Sequence, residues 1–169
     1  MSDVFYLRPI EPPATPADVN AMALQAGGCF NLHGVDWKNS FLAEDGGRML
    51  CWYQAPDAES VRVALRSLGS DMRAIFAGKL YKPEAALDEV NVLVELDAQQ
   101  TKEAEVKQLA ASSKTLRFVQ EIDLRDSARK LLLLRAEIPA DAVAALRALG
   151  LDSTAVWSGQ VLDPQKQEA

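Results

Sequence analysis

Residues 40–60 read SFLAEDGGRMLCWYQAPDAES, and the parsing of this stretch decides the fold. Glu44-Asp45-Gly46-Gly47 is a hairpin turn whose Asp and glycines tolerate positive φ, which sets strands at residues 36–43 and 48–55 on either side. Asp57, after Pro56, is placed to cap a helix that Gly69 ends. In the second strand Met49, Cys51 and Tyr53 point one way and Leu50, Trp52 and Gln54 the other. Both sets are largely apolar, so a helical layer on one face leaves the other needing cover.

Working outward, residues 4–8 form a strand. Thr15 is an N-cap with Pro16 in the first turn and Asp18 three residues on, a capping-box pattern. The helix is expected to run to about Ala26, where Gly27 and Gly28 end it. Residues 74–81 make a last strand, so the order is βαββαβ. Sliding the chain on itself by about 81 positions sets Leu65, Arg66, Leu68, Gly69, Asp71, Gly78 and Pro83 over Leu146, Arg147, Leu149, Gly150, Asp152, Gly159 and Pro164. The second half then repeats the order: strand 90–97, helix 101–113, strands 116–124 and 129–137, a helix opened by Pro139 and closed by Gly150, and strand 154–162. The expected fold is α+β: two tandem ferredoxin-like βαββαβ domains, 1–83 and 84–169, with a linker at 82–89. Sheet-to-sheet contact as a pseudo-dimeric α/β barrel would cover the second apolar faces, with any leftover space between the sheets. Pairing of the same surfaces between chains, as a homodimer, is the alternative.

Composition bounds the function. The apolar fraction is 49%, enough for a proper core, and 18 Lys plus Arg stand against 24 Asp plus Glu, a net charge of -6. With no basic cluster, nucleic acid and anionic membrane are poor partners. No signal peptide or spanning helix is read, and two cysteines make no disulfide framework, so a reducing cytoplasm is the expected compartment.

Four side chains, Trp37, Cys51, Trp52 and Tyr53, are the candidates for lining a ligand pocket between the sheets, with Phe118 and Trp157 in the other half. Cys51 has two readings, a buried small hydrophobe or a reactive thiol, and no cation beside it in the sequence favours the second. Cys29 and His33 are spaced four apart and could supply two metal ligands. His33 is the single histidine, and glycines ending the helix before Cys29 would place both on a loop. Asp45 with Arg48, and Asp126 with Arg129, read as turn-shaping pairs. No nucleophile elbow, phosphate-binding glycine loop or Cys-x-x-Cys is present.

ATPADVNAMALQAGGCFNLHGVDW (residues 14–37), the spacing from Gly34-Val35-x-Trp37 to Cys51, and the Ala55-Pro56-Asp57-Ala58-Glu59 helix start resemble domain-of-unknown-function family 4242. The resemblance covers roughly the first 80 residues. It implies a small ferredoxin-like protein, often described as nickel-binding, that dimerises. Many relatives carry histidines on the first helix and a His-Arg-x-x-His-Gly pattern on the second. Here Ala23, Ala64 or Leu65, and Leu68 stand at those places, so nickel does not carry over residue by residue. The expected function is a binding protein for a small molecule or, second, a metal ion such as nickel. A cofactor-independent monooxygenase or isomerase on a hydrophobic substrate, and a structural module without a pocket, are the alternatives.

Overall fold

The computed structural model describes residues 1–69, 74–81, 87–97, 102–125, 127–152 and 154–164. It is a mixed α+β protein with eight strands and four α-helices among those residues. Two compact units divide the chain: Met1–Gly78 with Leu162–Ala169, and Lys79–Val161. Of the linker expected at 82–89, residues 82–86 lie outside the described residues, and Leu87–Glu89 form a short 3-10 turn. No described helix is long and apolar enough to cross a membrane.

The first unit runs β1 (Ser2–Pro9), α1 (Pro16–Leu32), β2 (Asp36–Ala43), β3 (Arg48–Ala55), α2 (Ala58–Arg66) and the start of β4 (Ile75–Tyr81), whose residues from Lys79 on belong to the second unit. Its strands pair antiparallel in the order β4-β1-β3-β2. Thr15 caps α1 through a complete capping box, its hydroxyl accepting from Asp18 N–H at 3.2 Å while Asp18 accepts from Thr15 N–H at 2.8 Å. Asp57 caps α2, accepting from Ser60 N–H at 2.7 Å.

The end of α1 differs from expectation. The helix continues through Gly27 and Gly28 to Leu32, with His33 as its C-cap and Gly34, at φ 68, turning the chain. Each interior glycine costs ~1 kcal/mol relative to alanine. Continuing the helix buries Phe30, worth roughly 1.5–3 kcal/mol, together with Ala26 one turn before it. The terminator is therefore Gly34, where left-handed backbone is needed. Cys29 lies in the last turn of a helix rather than on a loop.

One face of the sheet holds Val4, Tyr6, Met49, Cys51, Tyr53, Trp37 and Leu42 against Val19, Ala26 and Phe30 of α1 and Val61, Ala64 and Leu65 of α2. Trp37, Cys51 and Tyr53, expected on a space between sheets, thus face the helices. Phe5, Leu50 and Phe41 occupy the opposite face and are also buried. The β2–β3 turn is tied to the segment before α1: Ile10 N–H donates to Gly47 O and Ala14 N–H to Gly46 O, both at 2.9 Å. Asp45 shapes the turn by accepting from Gly47 N–H at 2.8 Å. Its expected counterpart, Asp126, lies outside the described residues.

The second unit contains β5 (Val92–Leu96), α3 (Glu103–Ser112), β6 (Leu116–Leu124), β7 (Arg129–Ala136), α4 (Pro139–Arg147) and β8 (Val156–Leu162) up to Val161. Its pairing order is β8-β5-β7-β6, again antiparallel. Leu132, Leu134 and Leu116 meet Val106 and Ala110 of α3 and Ala142 and Leu146 of α4 in a core of its own. Thr101, expected to open α3, is outside the described residues, and Gly150 follows the end of α4 at φ 92.

Each unit carries a register shift near the start of its third element. It falls between Trp37 and Asn39 in β2 and between Phe118 and Gln120 in β6, so Lys38 and Val119 are the extra residues.

Candidate functional site

Three rows cross the helix-facing side of the first sheet. Arg8 pairs with Met49 and Met49 with Leu42; Tyr6 pairs with Cys51 and Cys51 with Ser40; Val4 pairs with Tyr53 and Tyr53 with Trp37. Simple alternation in β2 would put Trp37 and Ser40 on opposite faces. The bulge at Lys38 brings them to the same one.

The consequence is a buried polar relay. Trp37 Nε1–H donates to Ser40 Oγ at 2.8 Å, and Ser40 donates to Cys51 Sγ at 3.3 Å. Ser40 is one of two buried polar residues among those described, and both its bonding roles are filled. Burial pushes the Cys51 thiol above its ordinary range, against smaller opposing effects of Ser40, Tyr53 and the Arg8 charge. Burial likewise raises the Tyr53 phenol, with Cys51 beside it adding to the effect. Both groups are therefore held in their protonated forms at neutral pH.

Above the relay, three rings enclose a corner. Phe30 meets Trp37 at 5.9 Å and 63° and Tyr53 at 5.6 Å and 88°, while Trp37 and Tyr53 stand 5.7 Å apart. A cavity of about 200 Å³ opens there, lined by these rings, Arg8, Met22, Gln25 and Ala26 of α1, and Leu65 and Leu68 at α2. Arg8 sits over the Tyr6 ring at 5.2 Å. Its Nε is buried and lacks a hydrogen-bond acceptor. Such a donor is costly to leave unmade, roughly 1–3 kcal/mol or more for a charged group.

Of the four residues singled out in the sequence, Trp37, Cys51 and Tyr53 come together here. Trp52 does not: it lies on the other sheet face, stacked on Phe5 at 6.5 Å and donating to Asp3 at 2.9 Å. Arg8 and Ser40 were missed. Arg8 follows Val4 and Tyr6 at strand spacing, so a charge on an apolar face was there to be read. Ser40 is hidden by the bulge, which alternation does not reveal.

The two residues considered for metal, Cys29 and His33, lie near the end of α1. Cys29 Sγ is 2.7 Å from Ser67 Oγ and 3.5 Å from Ala64 O, so its polar contacts are met by the neighbouring helix. His33 lies at the C-cap, and among the described residues no three His, Cys, Asp or Glu side chains gather as a ligand set. Ala64 and Leu65, one or the other of which stands where the resemblance implies a histidine, are buried in the core, and Ala23 packs against it. The described donors do not fit nickel.

Residues 6–77 match the family model described as nickel responsive protein SCO4226-like. No curated protein matches the chain. Among solved structures, TA0507, named as a candidate chlorite dismutase, is 14% identical with a TM-score of 0.48, covering 96% of this chain and 95% of that one. An anthrone oxidase-like protein is 11% identical at a TM-score of 0.46, covering 99% and 94%. Protein BT0572 from Bacteroides thetaiotaomicron is 7% identical at 0.30, covering 96% and 92%. Likenesses this loose say nothing about ligand or chemistry.

Proposed function

We propose that this chain is a small-molecule-binding protein of two tandem ferredoxin-like units, and that the first unit's pocket takes a small organic acid with a compact aromatic body. The observation that carries the reading is the Arg8 guanidinium at the pocket, whose buried Nε–H has no acceptor. A carboxylate supplies that acceptor with a charge-assisted bond. The rings of Phe30, Trp37 and Tyr53 supply the apolar contact. At about 200 Å³ the cavity is below the ~300–1,000 Å³ usual for drug-sized ligands, which selects a single ring.

Nickel responsiveness, the property in the matching family's description, is not what this pocket supports. Leu65 and Leu68 line it, and the resemblance implies histidines at Leu68 and at Ala64 or Leu65. The protonated Cys51 and Tyr53 favour binding over nucleophilic or acid-base chemistry. The test is tryptophan fluorescence of the full untagged chain titrated with benzoate and with neutral benzyl alcohol, in wild type and in Arg8→Met. Benzoate is expected to bind tighter than the alcohol and to lose at least about tenfold in Arg8→Met. The same substitution is expected to leave stability unchanged or raise it by up to ~2 kcal/mol, since it removes an unmet buried donor at the loss of a cation–π contact. Equal binding of both probes, or a benzoate affinity unmoved in Arg8→Met, would overturn the reading.

A further inference from the structure

The second unit has a larger cavity of its own, about 990 Å³, between α3 and the first half of β6. Its apolar wall is Ala110 and Ala111 of α3 with Leu116 and Phe118 of β6. About 81 positions after Phe30, which closes the corner of the first unit, stands Ala111, a small residue on this cavity's wall. At the upper end of the ~300–1,000 Å³ range, this volume admits a drug-sized molecule.

Charge on the lining is unevenly satisfied. Lys107, Lys114, Arg117 and Arg135 face Glu121 and Glu137. Lys107 is engaged by Glu103 at 2.8 Å and Glu121 at 3.2 Å, and Arg117 by Glu89. Arg135 donates one N–H to the Glu89 carbonyl at 3.2 Å. Among the described residues neither Arg135 nor Lys114 pairs with a carboxylate. Lys114 is thus left beside an apolar wall that ends in the Phe118 ring, while Arg135, paired with Arg117 across the strands, lines the cavity from the other sheet face.

The geometry points to a second ligand site here, for an organic anion with a flat apolar body larger than one ring. The body lies along Phe118, Leu116 and the two alanines, and the anionic group is met by Lys114. The site is independent of the pocket at Arg8.

The experiment uses 8-anilinonaphthalene-1-sulfonate as the anionic probe and N-phenyl-1-naphthylamine as its neutral counterpart, titrated into the full native chain. Lys114→Glu, at an exposed position, is expected to weaken the sulfonate about tenfold and leave the neutral dye unchanged. Ala111→Trp, which fills the cavity, is expected to remove both. Arg8→Met is expected to change neither, so failure of the first pocket and failure of this one read out separately. A sulfonate affinity unmoved by both Lys114→Glu and Ala111→Trp would overturn the proposal.

Discussion

The Trp37 indole reaches Ser40 Oγ at 2.8 Å only because Lys38 is an extra residue in β2. Replacing Ser40 by alanine strands a buried indole N–H, and the expected loss is about 1–3 kcal/mol in urea unfolding. Trp37→Phe made in the Ser40→Ala background should cost less than in wild type, by about 1 kcal/mol, because both partners then go together. Additive losses would show that the bond contributes nothing.

Gly27 and Gly28 lie inside α1, and a Cβ at either would meet nothing within 4 Å. Alanine at each is therefore expected to stabilise the protein by ~0.5–1 kcal/mol, visible as a higher Tm. A lower Tm would mean that the helix stops at Ala26 after all.

Cys51 is fully buried and Cys29 only partly. In the native protein an aromatic disulfide reagent is expected to titrate Cys29 alone, with Cys51 reacting after denaturation. The raised thiol also contributes to the alkaline limb of stability, together with the raised Tyr53 phenol. Above its ordinary value of 9.0 the unfolded chain releases the Cys51 proton while the folded one holds it. Stability therefore falls as pH rises past 9.0, and Cys51→Ala should flatten that fall. Identical limbs in the two proteins would refute the assignment.

Glu103 sits between Lys107 and Lys130, at 2.8 and 3.2 Å, and the Lys107 hydrogen bond is the largest cause holding its carboxyl at about 2. Its folded value is depressed, so its contribution is present above the ordinary 4.5 and is lost as pH falls toward 2. Glu103→Gln should reduce the acid sensitivity of unfolding between those limits. The two lysines are raised by the same carboxylates, Glu103 and Glu121, against the opposing effect of burial.

The strand hairpin could be read directly: β2 and β3 occupy the expected residues because the turn chemistry at 44–47 and the cap at Asp57 are local signals. The end of α1 could not, because local propensity at Gly27 and Gly28 opposes a tertiary gain at Phe30 that only packing reveals. The candidate site was half legible. Trp37, Cys51 and Tyr53 stand out by type, but the face they share with Ser40 depends on an inserted residue, and Arg8 shows its role only once helices cover it. The cavity beside Ala111 is one that residue type alone does not announce.

A hairpin turn on a surface is ordinarily where related chains gain and lose residues. This one has no such freedom. Ile10 and Ala14 hold Gly47 and Gly46 by backbone bonds, and a Cβ on Gly46 would fall 2.2 Å from the Ala14 carbonyl oxygen. Both the length and the glycine of the turn are thereby set by a segment some thirty residues earlier. Any chain sharing this unit should align through 43–48 without a gap, and insertions, where they occur, belong elsewhere in the unit.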